Sequence, residues 1–139
     1  MIKNADRKDL SEIAIEISEL ACRAREGRLT PSEMELEAHP DWPSAMVQSG
    51  TARNSGARLH EGQNNVTLWN AGPARFSVPL PGFPYDQFVL VLKGQLVLTD
   101  TNANSATYDE GDMFMIPRGW PGTWDMTEEY REFIIVPGE

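Results

Sequence analysis

Gly111-Asp112-Met113-Phe114-Met115-Ile116-Pro117-Arg118-Gly119-Trp120-Pro121-Gly122-Thr123-Trp124 is the stretch on which the fold turns. A short apolar run opens on Gly-Asp and closes on Pro-Arg-Gly, and a second apolar segment follows. This order specifies a tight turn, a buried strand, a second tight turn and a returning strand. Working outward, the same grammar holds from about Met46 onward. Val66–Trp69, Arg75–Val78, Gln87–Leu92, Gln95–Thr99, Asp112–Ile116, Thr123–Met126 and Glu132–Val136 are short β segments parted by Gly, Pro, Asn and Asp. Lys93-Gly94 reads as a hairpin turn or bulge, and Asn102-Ala103-Asn104-Ser105 as a polar loop. Many short strands at close spacing specify an all-β sandwich or barrel, not alternating β-α units.

The chain before Met46 obeys a different period. Leu10, Ile13, Ile17, Leu20 and Ala24 recur at helical spacing, with Asp6 as an N-cap and Gly27 as a stop. Thr30-Pro31-Ser32-Glu33 reads as a capping box opening a second, short helix. His39-Pro40-Asp41-Trp42-Pro43 ends it. The expected organisation is a helical extension over 1–45 and a β domain over 46–139.

The bulk numbers narrow the partners. The chain has 139 residues, a size that suits one core, and a formal net charge of −9. That field repels phosphate backbones, and the Lys and Arg residues form no basic stripe, so nucleic acid is not expected. No apolar run approaches a membrane span, and the first residues lack the apolar core of a signal peptide. Cys22 is the single cysteine, so no internal disulfide can form, which suits a reducing, cytoplasmic compartment. Phe88-Val89-Leu90-Val91-Leu92 is apolar on both strand faces. Its outer face calls for cover from a second copy, with a two-fold homodimer as the default, or from the chain's own helix or loops.

The β region resembles a single-domain cupin. The resemblance rests on Val47-Gln48-Ser49-Gly50, Leu68 to Phe76, Gln87 to Gly94, the 111–124 stretch and Glu129-Tyr130-Arg131. It is nearest to the ureidoglycine aminohydrolase-like cupins, and it implies a cupin-type double-stranded β-helix, a jelly-roll barrel. Metal-binding cupins carry a histidine at the position of Gly122, a glutamate at that of Gln87, and two histidines within the segment that here runs from Leu80 to Phe83. None of those strong ligands is present, so the resemblance implies a barrel with no metal site and no cofactor.

Seven residues remain as site candidates. Gln87 is expected to point inward, where an amide needs a partner, and Tyr85 shares its strand face. Trp69, Trp124 and Trp120 are candidate aromatic walls, although core packing explains the first two as well. Arg75, if inward, would grip a carboxylate; if outward, it is a solvated charge. His60, with Tyr85, is the candidate general acid–base, against a plain surface role. Three functions stay open. The first is a metal-free small-molecule-binding protein. The second is a metal-independent isomerase, lyase, cyclase or hydrolase acting on a small acid or sugar derivative. The third is a dimeric protein-interaction platform.

Overall fold

The computed structural model describes residues 31–138. The expected first helix and Cys22 lie outside the described residues. Residues from Glu35 onward form one compact unit. Its strands are β1 (Glu37–Ala38), β2 (Val47–Gly50), β3 (Asn54–His60), β4 (Asn64–Ala71), β5 (Ala74–Val78), β6 (Gln87–Lys93), β7 (Leu96–Thr99), β8 (Ser105–Tyr108), β9 (Met113–Ile116), β10 (Gly122–Met126) and β11 (Tyr130–Pro137). They make a six-stranded sheet in the order β1-β3-β4-β11-β6-β9 and a five-stranded sheet in the order β2-β5-β10-β7-β8. Every pairing is antiparallel. This is the all-β, cupin-like architecture expected from the sequence.

The core forms where the inner faces of the two sheets meet. Trp69, Ala71, Val91 and Tyr130 come from the larger sheet, and Phe76, Leu96, Trp124 and Met126 from the smaller. Strand alternation explains the choice. On β5, Ala74, Phe76 and Val78 are buried while Arg75 is exposed. On β11, Tyr130 and Glu132 are buried on the same side, one of them a carboxylic acid.

Four readings of the sequence are corrected. Pro31–Glu33 form a turn and no helix follows them; Glu37 and Ala38 instead pair with Gly56 and Ser55. Too few residues separate Pro31 from Pro40 to offset the cost of helix nucleation. Lys93-Gly94 does not close a hairpin, because β6 and β7 belong to different sheets. The chain turns the corner there, with Gly94 at φ 81° and packed on the Glu129 carbonyl. The returning strand after Pro117 likewise crosses to the other sheet, and β9 is an edge strand, not a buried one. Met113 is 77% and Met115 49% exposed. Finally, β3 and β8 escaped notice because their small and polar residues dilute the apolar alternation.

The outer face of the larger sheet carries an apolar patch. The register places Phe88 beside Met115 and Ile135, and Leu90 beside Met113 and Phe133. Phe88 is 53% exposed.

The corner glycines differ in a testable way. A Cβ at Gly94 would collide with backbone, whereas a Cβ at Gly111 (φ 91°) would meet nothing. Gly111→Ala should therefore cost about 1 kcal/mol, the left-handed backbone penalty alone, and Gly94→Ala at least about 2 kcal/mol more. Urea unfolding of the two variants checks the ranking; equal losses would refute the steric account.

Candidate functional site

A cavity of about 150 Å³ opens between the two sheets. Its floor is Trp69 of β4, Phe76 of β5, Trp124 of β10 and Glu132 of β11, all buried. Half-buried residues form the rim, among them Trp42, Thr67, Phe83 and Tyr85. The rings pack at steep angles. Trp42 and Trp69 meet edge to face at 6.1 Å and 88°, and Trp69 meets Trp124 at 6.3 Å and 87°. Such perpendicular pairs are the favoured arrangement of aromatic quadrupoles.

The Trp69 indole N–H donates to Asn54 Oδ1 at 3.1 Å. The indole N–H groups of Trp42 and Trp124 are buried without a hydrogen-bond partner among the described residues.

Two polar groups interrupt this apolar wall. Gln87 is only 6% exposed and lines the cavity. Its amide makes no side-chain hydrogen bond within the described residues. Glu132 is 1% exposed and lines the same cavity. Tyr130, fully buried behind it, donates its hydroxyl to Glu132 Oε2 at 2.5 Å. In the ladder Glu132 faces Val91, four positions along β6 from Gln87, so the two backbones stand about 13 Å apart along the strand.

Burial dominates the electrostatics. Desolvation pushes the Glu132 carboxyl up to about 8, and the Tyr130 hydrogen bond opposes the shift only in part. The same desolvation, with the neighbouring carboxylate, drives the Tyr130 phenol upward, so it stays protonated. The cavity therefore holds an uncharged carboxyl at neutral pH, poised to ionise when a partner favours it.

The seven sequence candidates divide. Tyr85, Gln87, Trp69 and Trp124 meet at this cavity. Arg75 points outward on β5, opposite Asp125 of β10. His60 sits at the end of β3 beside a bulge, away from the cavity, with its ring against Gly62. Trp120 lines a separate hollow with Leu98, Tyr108 and Ile116. Arg131 donates its Nε to Asn70 Oδ1 at 3.1 Å. Glu132 was missed as a site residue, although a signal existed. In Tyr130-Arg131-Glu132-Phe133-Ile134, period-two alternation puts Glu132 on the face of Tyr130 and Ile134.

The donor set does not fit a divalent metal. The cavity offers one carboxyl, one amide, one phenol and one threonine hydroxyl, and no three His, Cys, Asp or Glu converge anywhere among the described residues. Gly122, opposite the inward-facing Val78, has no room for a ligand: a Cβ there would run into the Trp120 ring.

Comparison with known proteins agrees with the fold. Residues 59–132, more than half of the chain, match the model of the EutQ-like cupin domain. The fold is similar to that of a protein of unknown function from Pseudomonas syringae pv. tomato. There the TM-score is 0.67 at 21% identity, over 76% of this chain and 45% of that one. It is also similar to the polyketide cyclase RemF of Streptomyces resistomycificus (TM-score 0.59, 17% identity, 80% and 78% covered). An ethanolamine utilization protein Q from Salmonella typhimurium gives a TM-score of 0.54 at 17% identity, with 61% and 69% covered.

The N-terminal segment has a separate likeness. Residues 1–37 match the catalytic-domain model of 2-oxoacid dehydrogenase acyltransferases. Over 34 residues the chain is 59% identical to the dihydrolipoyllysine-residue acetyltransferase component of the pyruvate dehydrogenase complex of Bacillus subtilis. That match takes in 24% of this chain and spans 8% of the relative's length.

The weakened acidity of Glu132 has a thermodynamic consequence. Its carboxyl titrates near 4.5 when unconstrained and at about 8 in the fold. Between those values the native state holds a proton that the unfolded chain has released, so this group's contribution is present below about pH 4.5 and is lost as pH rises through about 8. Glu132→Gln should match the parent near pH 4.5 and exceed its stability at pH 8.5. Urea melts across that range test this, and parallel pH profiles for the two proteins would rule it out.

Proposed function

This chain belongs to the EutQ-like cupin domain family, and we propose that it is a small-molecule-binding barrel working without a resident metal. The observation that carries the reading is an aromatic cavity that holds Gln87 and Glu132 and in which the indole N–H groups of two lining residues, Trp42 and Trp124, are buried without a hydrogen-bond partner among the described residues. Leaving such a group unsatisfied costs about 1–3 kcal/mol, a penalty that a ligand entering the cavity removes. Aromatic walls with a few convergent polar groups are the usual build of such sites. Within the cupins, we propose that it lies nearest the ureidoglycine aminohydrolase-like members, a reading supported by the resemblance of the motifs at 87–94 and 111–124. A second reading, a proton-transferring enzyme in the same cavity, draws on Glu132, whose acidity is tuned toward neutrality as a general acid requires. The apolar patch around Phe88 and Met115 is proposed to be covered by a second copy across a two-fold axis.

Two experiments bear on these proposals. Thr67 lies on the rim, so Thr67→Trp should plug the cavity. The parent protein dialysed against a cell metabolite extract should enrich at least one small compound, and the plugged variant should enrich none. Equal recovery by both would remove the cavity as the binding site. For the second copy, light scattering should give twice the chain mass of 15.5 kDa, and Phe88→Glu should return it to monomer. A monomeric parent would end that proposal.

A further inference from the structure

We propose that the ligand of this cavity is a small organic cation of quaternary-ammonium size, held against the faces of Trp42, Trp69 and Trp124 and by the carboxylate of Glu132. The inference rests on the cavity being the ligand site and names the chemistry that suits it.

Three independent observations lead there. The first is the wall. Ring faces carry the negative end of the aromatic quadrupole, and a desolvated cation gains most from tryptophan. Here Trp42 and Trp124 both stand perpendicular to Trp69 around one cavity. The second is the charge inventory. No lysine, arginine or histidine lines the cavity, and its ionisable groups are Glu132 and Tyr85. Around Glu132, β11 supplies Tyr130, while the cavity-lining neighbours on β4, β5 and β10 are Trp69, Phe76 and Trp124. Nothing in that set would repel a cation, and one group ionises to meet it. The third is size and field. A cavity of about 150 Å³ takes a body the size of one six-membered ring, and a net charge of −9 draws cations toward the protein. Gln87, further along the same wall, offers a donor and an acceptor to an uncharged tail.

The cation and the proton compete for Glu132. With its carboxyl titrating at about 8, binding at lower pH must first expel the proton, so affinity climbs toward tenfold per pH unit until that value and then levels off. A neutral carbonyl ligand would need the protonated carboxyl, and its affinity would fall over the same range. The sign of the pH dependence separates the two.

Choline and its uncharged carbon isostere, 3,3-dimethylbutan-1-ol, are the probes, because neither titrates in this range. Binding is read by NMR from the indole N–H signals of Trp42, Trp69 and Trp124, at pH 6.5 and pH 8.5. Choline should bind about twenty-fold more tightly at the higher pH. The isostere should bind more weakly than choline at pH 8.5 and show no pH dependence. Glu132→Gln should bring choline down to the level of the isostere and abolish the pH effect, with the indole signals keeping their dispersion as evidence of folding. Several outcomes overturn the inference. They are isostere binding as tight as choline binding at pH 8.5, choline affinity flat or falling with pH, or a Glu132→Gln variant that behaves like the parent. If the isostere moves the indole signals and choline does not, the cavity is a binding site and only its assignment to cations fails. If neither compound moves them, the cation assignment fails, and the metabolite-enrichment comparison with Thr67→Trp decides the broader reading by itself.

Discussion

A carboxylic acid enclosed by tryptophans is the constraint on which the inner face of this protein depends. Glu132 is 1% exposed, accepts the Tyr130 hydroxyl, and shares its cavity wall with Trp69, Phe76 and Trp124 and with no lysine, arginine or histidine. An ionised carboxylate in that setting is strongly disfavoured, so the fold keeps it protonated until something compensates the charge. The alternation of β11 forces the arrangement. Tyr130 and Glu132 must both face inward if Arg131 is to face the polar Asn70 and Glu129 at the surface. The pair is thus a consequence of strand register as much as of local chemistry.

The register has its own support. Between Arg131 and Glu132 the pairing with β6 slips, from Lys93 to Val91. This leaves Leu92 as the extra residue of a bulge next to the Gly94 corner. Bulges re-aim side chains where a strand must bend. Here the slip pairs Glu132 with the inward-facing Val91 just where β6 leaves for the other sheet. Corner, bulge and buried acid form one construction, in which the glycine permits the turn and the slipped pairing keeps the inner faces aligned.

Much of this was legible before any coordinates. Strands such as 74–78 and 122–126 announce themselves by apolar alternation and 87–93 by its continuous apolar run, and the turn residues between them fix the all-β class. Gln87, Trp69 and Trp124 were identifiable because inward-facing aromatics and amides on strands are easy to spot, whereas Tyr85, expected on the strand face of Gln87, instead reaches the cavity from a bend before β6. What stayed hidden has physical causes. Which strands pair is decided by corners, and Lys93-Gly94 reads alike whether the chain folds back or crosses over. Arg75 had two possible faces, and only its partners across the sheet settle that it is outward. Glu132 resembled a surface residue because acids are so seldom fully buried, and the alternation that betrays it was outweighed by that prior. The N-terminal segment matches a different family from the barrel, so the periodicity of one says nothing about the other.

Trp120 has a consequence beyond the hollow it lines. Its ring fills the space into which any side chain at Gly122 would grow, and that is the position where metal-binding cupins, which the 111–124 stretch resembles, place a histidine. A histidine at Gly122 would have to displace both that indole and the Thr99 carbonyl, so the ligand cannot be supplied by one side chain without moving backbone of the neighbouring strand β7.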